Sequence, residues 1–151
     1  MLGRTHLAFG FLTALIMRNF VPTGNVFIFF GMVLLGSLLP DIDSPNSTIV
    51  NKIPWLLKPI SYLSKHRGIF HSLVMGIPLA GAIFYLISRT YGVAFFIGYF
   101  SHLLIDGITL QGVNFLHPIS KLQMSGFIET GKILEHIILI LIVVVILLKL
   151  L

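Results

Sequence analysis

The chain has 151 residues, of which 56% are hydrophobic and only 10% are charged, and its mean hydropathy is +1.01. Soluble domains carry about 25% charged residues, and one small core cannot hide so much apolar surface. Composition therefore excludes an ordinary soluble domain and predicts one integral-membrane domain over residues 1–151. The net charge is +5, but the basic residues are scattered along the chain and form no basic patch interleaved with aromatic residues. No nucleic-acid partner is therefore expected.

Five apolar segments predict an all-α fold, a polytopic bundle of about five transmembrane helices. In chain order they cover residues 5–20, 25–39, 69–88, 91–106 and 132–151. Several are shorter than the ~20 residues that a perpendicular span needs, so they extend into polar flanks or cross a thinned bilayer. Short turns at residues 22–24 and 89–92 pair the first four helices into two hairpins.

Two longer connections complete the predicted bundle. The first, residues 40–68, has apolar side chains that alternate with lysines: Trp55, Leu56, Ile60 and Leu63 with Lys58 and Lys65. This pattern predicts a short amphipathic segment in the membrane interface. The second connection, residues 107–131, is rich in Gly, Ser and Thr and is expected to fold back over the membrane face.

Histidines and acids converge on one side of this predicted bundle. With five spans, the N-terminus and both long connections share a side. Each helix contributes a histidine or an acid there: His6, Asp41, Asp43, His66, His71, His102, Asp106 and Glu135. Polar groups at membrane depth are costly and usually functional, so the convergence predicts a buried metal site. Without cysteine, imidazole and carboxylate ligands suit Zn²⁺, with Mn²⁺ or Fe as alternatives, and the number of ions stays open.

Two pairs of residues support this prediction by their spacing. His102 and Asp106 are four residues apart, so they share one helix face and can bind one ion. Asp41 and Asp43 repel each other unless a cation lies between them. For His102 and Asp106, the alternative is a histidine at a helix end beside an acid that caps the helix. For Asp41 and Asp43, the alternative is a solvent-exposed turn. An acid at a helix C-terminus is disfavoured by the helix dipole, which favours metal ligands.

The segment HRGIFHS contributes two further histidines and an arginine. His66 and His71 are five residues apart, and a boundary at Gly68 can turn both inward. Arg67, beside a helix N-terminus, can neutralise charge that develops on a substrate. The alternative is an arginine that only fixes topology.

His6 and Glu135 each have more than one interpretation. His6 is either a histidine at the membrane interface or a metal ligand. Its position on the side of the membrane that carries the other histidines and acids favours a metal ligand. Glu135 is an acid that stabilises a helix N-terminus, a metal ligand or a catalytic base, and for the role of base Asp43 is the alternative.

Basic residues predict the orientation. Arg18, Arg89 and Lys149 lie on the far side, which leaves seven of the ten lysines and arginines on the site side. The positive-inside rule then places the N-terminus and the site at the cytoplasmic face of a multi-pass protein in the cell membrane.

The motifs PDID, HRGIFHS and SHLLID, with TGKILE near the end, resemble the YdjM-like family of predicted membrane-bound metal-dependent hydrolases. The resemblance runs from about His6 to Glu135, and the chain departs from it at Phe70, where many members have threonine. It implies functional roles for Asp41, Asp43, His66, Arg67, His71, His102, Asp106, Thr109 and Glu135, with Gly112 in the same pattern. The order of His and Asp residues is also similar to the zinc-dependent phospholipase C and nuclease group, which suggests phosphoester chemistry.

The sequence thus predicts a membrane-embedded hydrolase that uses a metal-activated water at the cytoplasmic face. The expected substrate is a phosphoester or other ester of a lipid or lipid-linked molecule. The alternative is a non-enzymatic metal-binding scaffold or regulator. A structural metal site, which has no open coordination position, would show the same ligand residues in the sequence as a catalytic site. A transporter fits less well, since the distal halves of the helices are almost wholly apolar. The oligomeric state stays open.

Overall fold

The computed structural model describes residues 1–45, 47–63 and 67–151. Within these residues the regular structure is helical, and there are seven α-helices: α1 (Gly3–Met17), α2 (Val26–Leu38), α3 (Thr48–Lys52), α4 (Pro54–Leu63), α5 (Leu73–Leu86), α6 (Arg89–Gly107) and α7 (Ile133–Leu150). A 3₁₀ turn, Leu39–Asp43, continues α2, and another, Ile69–His71, precedes α5. The all-α prediction is confirmed for the described part of the chain.

Two helical stretches among the described residues are long and apolar enough to cross a membrane. They are Val26–Asp43 and Ile133–Leu150, each 18 residues long. Helix α5 is also apolar but shorter. Five crossings of the membrane therefore remain a prediction.

Helix α6 is the centre of the bundle and packs against α1, α2 and α5. Its contact with α2 is close because glycines remove the side chains between the two backbones. A Cβ atom added at Gly98 would lie 1.9 Å from the Val33 carbonyl oxygen, and one at Gly36 would lie 2.2 Å from the Phe95 carbonyl oxygen. Small residues allow this approach in membrane helix pairs. The acidic turn after α2 is thereby held against the C-terminal half of α6.

The predicted start of the third apolar helix is wrong. Helix α5 begins at Leu73 rather than at residue 69, because Ile69–His71 form a 3₁₀ turn and Ser72 is extended. The other four apolar helices differ from their predicted ends by three residues or fewer, as where α1 ends at Met17 instead of residue 20. The break before α5 matters because it turns His71 into the bundle.

The turn predicted at residues 89–92 is also wrong. These residues form the first turn of α6, where the backbone N–H of Gly92 donates to the Ser88 carbonyl at 2.9 Å. The glycine serves packing instead, since a Cβ there would lie 2.5 Å from Cβ of Phe84 on α5. Close helix contact, not a chain reversal, explains this glycine.

The connection between α6 and α7 folds back over the end of the bundle that carries Asp106. Isolated β-bridges pair Thr109 with Ile128 and Val113 with Met124. Ile128 is buried in a hydrophobic cluster with residues of α1, α6 and α7. The connection therefore closes the bundle at this end.

The predicted amphipathic segment corresponds to α3 and α4. On α4, Trp55 is 79% exposed and Tyr62 is 72% exposed, so large aromatic side chains point away from the bundle. Aromatic side chains of this kind are enriched at membrane interfaces. Lys65, part of the predicted pattern, lies outside the described residues.

Candidate metal centre

Six of the predicted metal ligands lie together at one end of the bundle. They are His6, Asp41, Asp43, His71, His102 and Asp106, and each is 8% exposed or less. Helix α1, the turn after α2, the turn before α5 and helix α6 supply them. The seventh predicted ligand, His66, lies outside the described residues. Residues far apart in sequence thus meet in one buried polar cluster.

Four ligand atoms within this cluster have the spacing of a metal coordination shell. Nε2 of His71 and Nε2 of His102 are 3.2 Å apart, and Oδ2 of Asp106 lies 3.6 and 3.8 Å from them. Oδ1 of Asp41 lies 3.9 Å from each Nε2 atom. Ligands about 2.0–2.1 Å from a tetrahedral ion are roughly 3.3 Å apart. The five separations are thus within about 0.6 Å of that value, and His71, His102 and Asp106 form a group that can hold a divalent ion, with Asp41 beside it.

The hydrogen bonds of the two histidines also favour a cation between them. Nδ1 of His102 is 2.7 Å from the Ser37 carbonyl oxygen, and Nδ1 of His71 is 2.9 Å from Oδ2 of Asp43. Both partners are acceptors, so we assign the proton of each ring to Nδ1. The facing Nε2 atoms then carry lone pairs that repel each other at 3.2 Å. A cation between them converts this repulsion into attraction.

Asp43 lies behind His71 rather than among the four atoms. Its Oδ2 accepts hydrogen bonds from Nδ1 of His71 at 2.9 Å and from the backbone N–H of Arg67 at 3.0 Å. A carboxylate that accepts from a histidine in this way fixes the tautomer and the orientation of the ring. The geometry matches an orienting group more closely than a direct ligand.

Arg67 is held over the same cluster. Its Nη2 lies 3.0 Å from Oδ2 of Asp106, and its Nη1 donates to Oγ1 of Thr109 at 3.1 Å and to the Gly112 carbonyl at 2.5 Å. Its backbone φ is 57°, a left-handed value that is uncommon outside glycine. Among the described residues, Nε of Arg67 has no hydrogen-bond partner. The guanidinium is thus fixed in place with one donor uncommitted.

His6 lies at the edge of the four-atom set. Its ring stacks on that of His102 with centroids 3.7 Å apart and planes 9° apart. Its Nε2 is 3.3 Å from Oδ1 of Asp106, which also accepts a hydrogen bond from the Met1 amino group. Neither ring nitrogen of His6 has a hydrogen-bond partner in the described chain.

Glu135 is buried at the start of α7, where it accepts three hydrogen bonds. Oε1 accepts from the Leu2 N–H at 2.6 Å and from Oγ1 of Thr5 at 2.8 Å, and Oε2 accepts from the Gly131 N–H at 2.6 Å. These contacts join the starts of α1 and α7 and involve none of the six clustered side chains. Its role as a base stays a prediction.

A polar cavity of about 340 Å³ opens beside the four-atom set. Its lining combines charged groups, hydroxyls and an amide, among them Asp41, Arg67, Asp106, Ser44, Ser47, Gln111 and Thr130. Ligand-binding pockets typically measure about 300–1,000 Å³. The cavity gives a small polar group access to the cluster.

Comparison with known proteins agrees with the motifs. The family model described as YdjM inner membrane protein matches residues 1–150. The chain belongs to the YdjM family. The inner membrane protein YdjM of Escherichia coli (strain K12) is 30% identical over 129 residues, which cover 78% of this chain and 66% of that protein. The protein of the same name in Shigella flexneri gives the same values.

Another relative of this YdjM-family chain is the uncharacterized protein YvsG of Bacillus subtilis (strain 168). It is 28% identical over 146 residues, which cover 92% of this chain and 88% of that protein. The chain spans 66% of the length of the two inner membrane proteins. No solved structure matches. The predicted family is confirmed, and membership of it together with the apolar helices identifies a membrane protein.

Proposed function

We propose that the protein is a membrane-embedded, metal-dependent hydrolase. It cleaves a phosphoester or other ester of a lipid or lipid-linked substrate. The observation that carries the proposal is the position of the two Nε2 atoms of His71 and His102, which are 3.2 Å apart and lie 3.6 to 3.9 Å from one oxygen each of Asp41 and Asp106. Two imidazoles and two carboxylates suit Zn²⁺, with Mn²⁺ or Fe as alternatives.

A divalent ion held by these residues supplies Lewis acidity, which polarises a phosphoryl or acyl oxygen and activates water. The chain prepares its ligands for this role. Asp43 and the Ser37 carbonyl hold the Nδ1 protons of His71 and His102, so both Nε2 lone pairs are directed into the site. Glu135 is the predicted base, and Asp43 is the alternative.

Arg67 supplies the complementary positive charge for the substrate. Its Nη1 and Nη2 are held by Asp106, Thr109 and Gly112, its Nε is buried without a hydrogen-bond partner among the described residues, and the residue lines the cavity. A donor fixed in advance stabilises developing negative charge without a reorganisation cost. This favours a substrate whose reacting group is a phosphate or a carboxylic ester.

The cavity favours a hydrolase over a closed structural metal site. Catalytic metal sites keep a position open to water and substrate, whereas structural sites are closed by protein ligands. Here Asp41 and Asp106 belong both to the four-atom set and to the cavity wall. In this proposal His71, His102 and Asp106 are the three protein ligands, and the open position lies on the cavity side, next to Asp41.

The membrane setting points to a lipid or lipid-linked substrate at the cytoplasmic face. Support comes from the excess of basic residues on the site side and from the exposed aromatic residues Trp55 and Tyr62 on α4. In this proposal the chain crosses the membrane five times. The polar head group then enters the cavity while its apolar part stays in the bilayer.

Hydrolysis by detergent-purified protein tests the proposal. After metal content is measured, the protein is assayed for release of phosphate or a soluble head group from phosphomonoesters, phosphodiesters and phospholipids. We expect turnover that a chelator abolishes and added metal restores. A metal-loaded, folded protein that cleaves none of these compounds would contradict the hydrolase and favour the non-enzymatic scaffold.

Asp43→Asn is expected to weaken metal binding without destroying the site. The variant keeps all four ligand atoms but loses the carboxylate that orients His71. Loss of such an orienting group typically lowers metal affinity by about 10–100-fold. Competition with a fluorescent chelator measures the change, with Glu129→Gln as a control at an exposed acid. Stoichiometric metal at unchanged affinity would show that Asp43 does not orient His71.

Arg67→Lys is expected to lower turnover while the metal stays bound. Lysine keeps the positive charge but cannot reproduce the fixed guanidinium donors. Loss of one preorganised donor typically lowers kcat by about 10²–10³-fold. Parallel measurement of kcat, KM and metal content separates this effect from damage to the site, and Arg89→Lys is the exposed control. Unchanged kcat in Arg67→Lys would exclude a role in charge stabilisation.

A further inference from the structure

Tyr99 is a buried tyrosine of α6 whose hydroxyl contacts a different segment of the chain. The side chain is fully buried, and its ring belongs to a hydrophobic cluster that includes Phe95 and Leu103. A hydroxyl buried among apolar side chains is unfavourable unless it finds a hydrogen-bond partner. Phenylalanine would fill the same space without this cost, so the partners of the hydroxyl are the feature that distinguishes a tyrosine here.

The partners of this hydroxyl lie on both sides of His71. The Tyr99 hydroxyl donates to the Phe70 carbonyl and also lies 3.2 Å from the Ser72 carbonyl oxygen. The Ser72 carbonyl accepts in addition from the backbone N–H of Gly76 at 3.1 Å, at the start of α5. The bond to Phe70 is therefore the contact that ties the 3₁₀ turn itself to α6.

Two glycines fix the position of the Tyr99 side chain. A Cβ atom added at Gly76 on α5 would lie 2.4 Å from Cε1 of the Tyr99 ring, so the ring occupies space that any larger residue there would fill. A Cβ atom at Gly36 on α2 would lie 2.8 Å from the backbone nitrogen of Tyr99. The residue is thus held between two neighbouring helices, and its hydroxyl is directed at the turn in one fixed position.

Tyr99 connects the two histidines of the candidate metal centre. It precedes His102 by three residues, so the two lie on the same face of α6. The ring of His71 is oriented by Asp43, and the backbone that carries it is held by the Tyr99 hydroxyl. Helix α6 therefore supplies one imidazole directly and also determines where the other lies, with 3.2 Å between the two Nε2 atoms.

We propose that Tyr99 is a positioning residue of the metal centre, which sets the distance between His71 and His102 through its hydroxyl. It touches neither the ion nor the substrate. The inference rests on the proposed metal centre but not on hydrolysis. Metal–ligand distances are confined to about 0.2 Å, so a small shift of the turn lowers affinity although every ligand is still present. We expect a loss of about 10-fold, the lower end of the range for groups that orient a ligand.

Titration of the chelator-stripped, detergent-purified protein with Co²⁺ tests this role without an activity assay. The visible absorption of bound Co²⁺ reports both its affinity and its coordination geometry. In Tyr99→Phe we expect about 10-fold weaker binding and a changed spectrum. Ser101→Ala is the matched control, because it removes a buried hydroxyl of α6 whose bond, to the Gly98 carbonyl at 2.7 Å, stays within the helix. It should bind Co²⁺ as the wild type does, even at a lower Tm.

The outcomes distinguish this inference from the proposed function. A Tyr99→Phe protein with the affinity and spectrum of the wild type overturns the positioning role and leaves the metal centre standing. No Co²⁺ in the folded wild type overturns both. Tyr99→Met also fills the space without a hydroxyl, so it carries the same measurement if Tyr99→Phe does not fold. Failure of both variants to fold would make Tyr99 a residue required for folding and would overturn the narrower role.

Discussion

Replacing His102 with alanine is expected to abolish stoichiometric metal binding and all metal-dependent turnover. His102 contributes one of the four ligand atoms, and its ring also contacts the rings of His6 and His71. The Ser37 carbonyl, 2.7 Å from Nδ1 of His102, loses its partner as well. Removing a direct ligand should lower metal affinity by more than the ~10–100-fold typical of an orienting group.

Elemental analysis of detergent-purified His102→Ala, beside the wild type, measures this loss. His136→Ala removes an exposed histidine and controls for a general effect of losing an imidazole. Thermal unfolding of both variants shows whether the protein still folds. A folded His102→Ala protein with a full complement of metal would mean that the ligands lie elsewhere.

Gly98→Ala is expected to give the largest loss of stability from a single methyl group. The new Cβ would lie 1.9 Å from the Val33 carbonyl oxygen, so α2 and α6 must separate. Overpacking of this kind costs about 1–3 kcal/mol, and contact with backbone rather than a flexible side chain places Gly98 at the upper end. The separation also moves Asp41, just after α2, away from His102 on α6. We therefore expect weaker metal binding together with a lower Tm.

Gly81→Ala and Gly31→Ala are matched controls for this prediction. Both glycines are helical, and a Cβ at either position meets no atom within 4 Å. Alanine is a better helix former than glycine, so these variants should be as stable as the wild type or slightly more stable. Thermal unfolding and metal content of all three variants decide the matter. A Gly98→Ala protein that matches its controls would contradict the close packing of α2 on α6.

Hydrophobic runs predicted the helices well where apolar residues form an unbroken segment. Helices α2 and α7 differ from their predicted bounds by one residue at each end. The prediction failed at the start of α5, because Ile69 and Phe70 are as apolar as the helix that follows and yet form a 3₁₀ turn. It failed at Gly92 because a glycine required for helix contact looks like a glycine required for a turn.

The number of predicted helices was enough to place the histidines and acids on one side of the bundle. It was not enough to predict how these side chains are arranged around a metal site. The four-residue spacing of His102 and Asp106 predicts a shared face without any knowledge of the fold. Asp43 and Asp41 are equivalent in the motif PDID, and only the hydrogen bond to His71 separates an orienting acid from a ligand.

Two other features of the site could not be found from sequence. The Ser37 carbonyl orients His102, and a backbone carbonyl has no residue signature. The stacking of His6 on His102 depends on the packing of α1 against α6, which hydropathy does not describe.

X-ray absorption spectroscopy of the metal bound to the purified wild-type protein tests the metal centre most directly. The structure predicts a shell of nitrogen and oxygen ligands at about 2.0–2.2 Å for zinc, with the outer-shell scattering of at least two imidazoles from His71 and His102. Protein without bound metal, or a shell of oxygen atoms without imidazole scattering, would contradict a histidine–carboxylate centre at this end of the bundle.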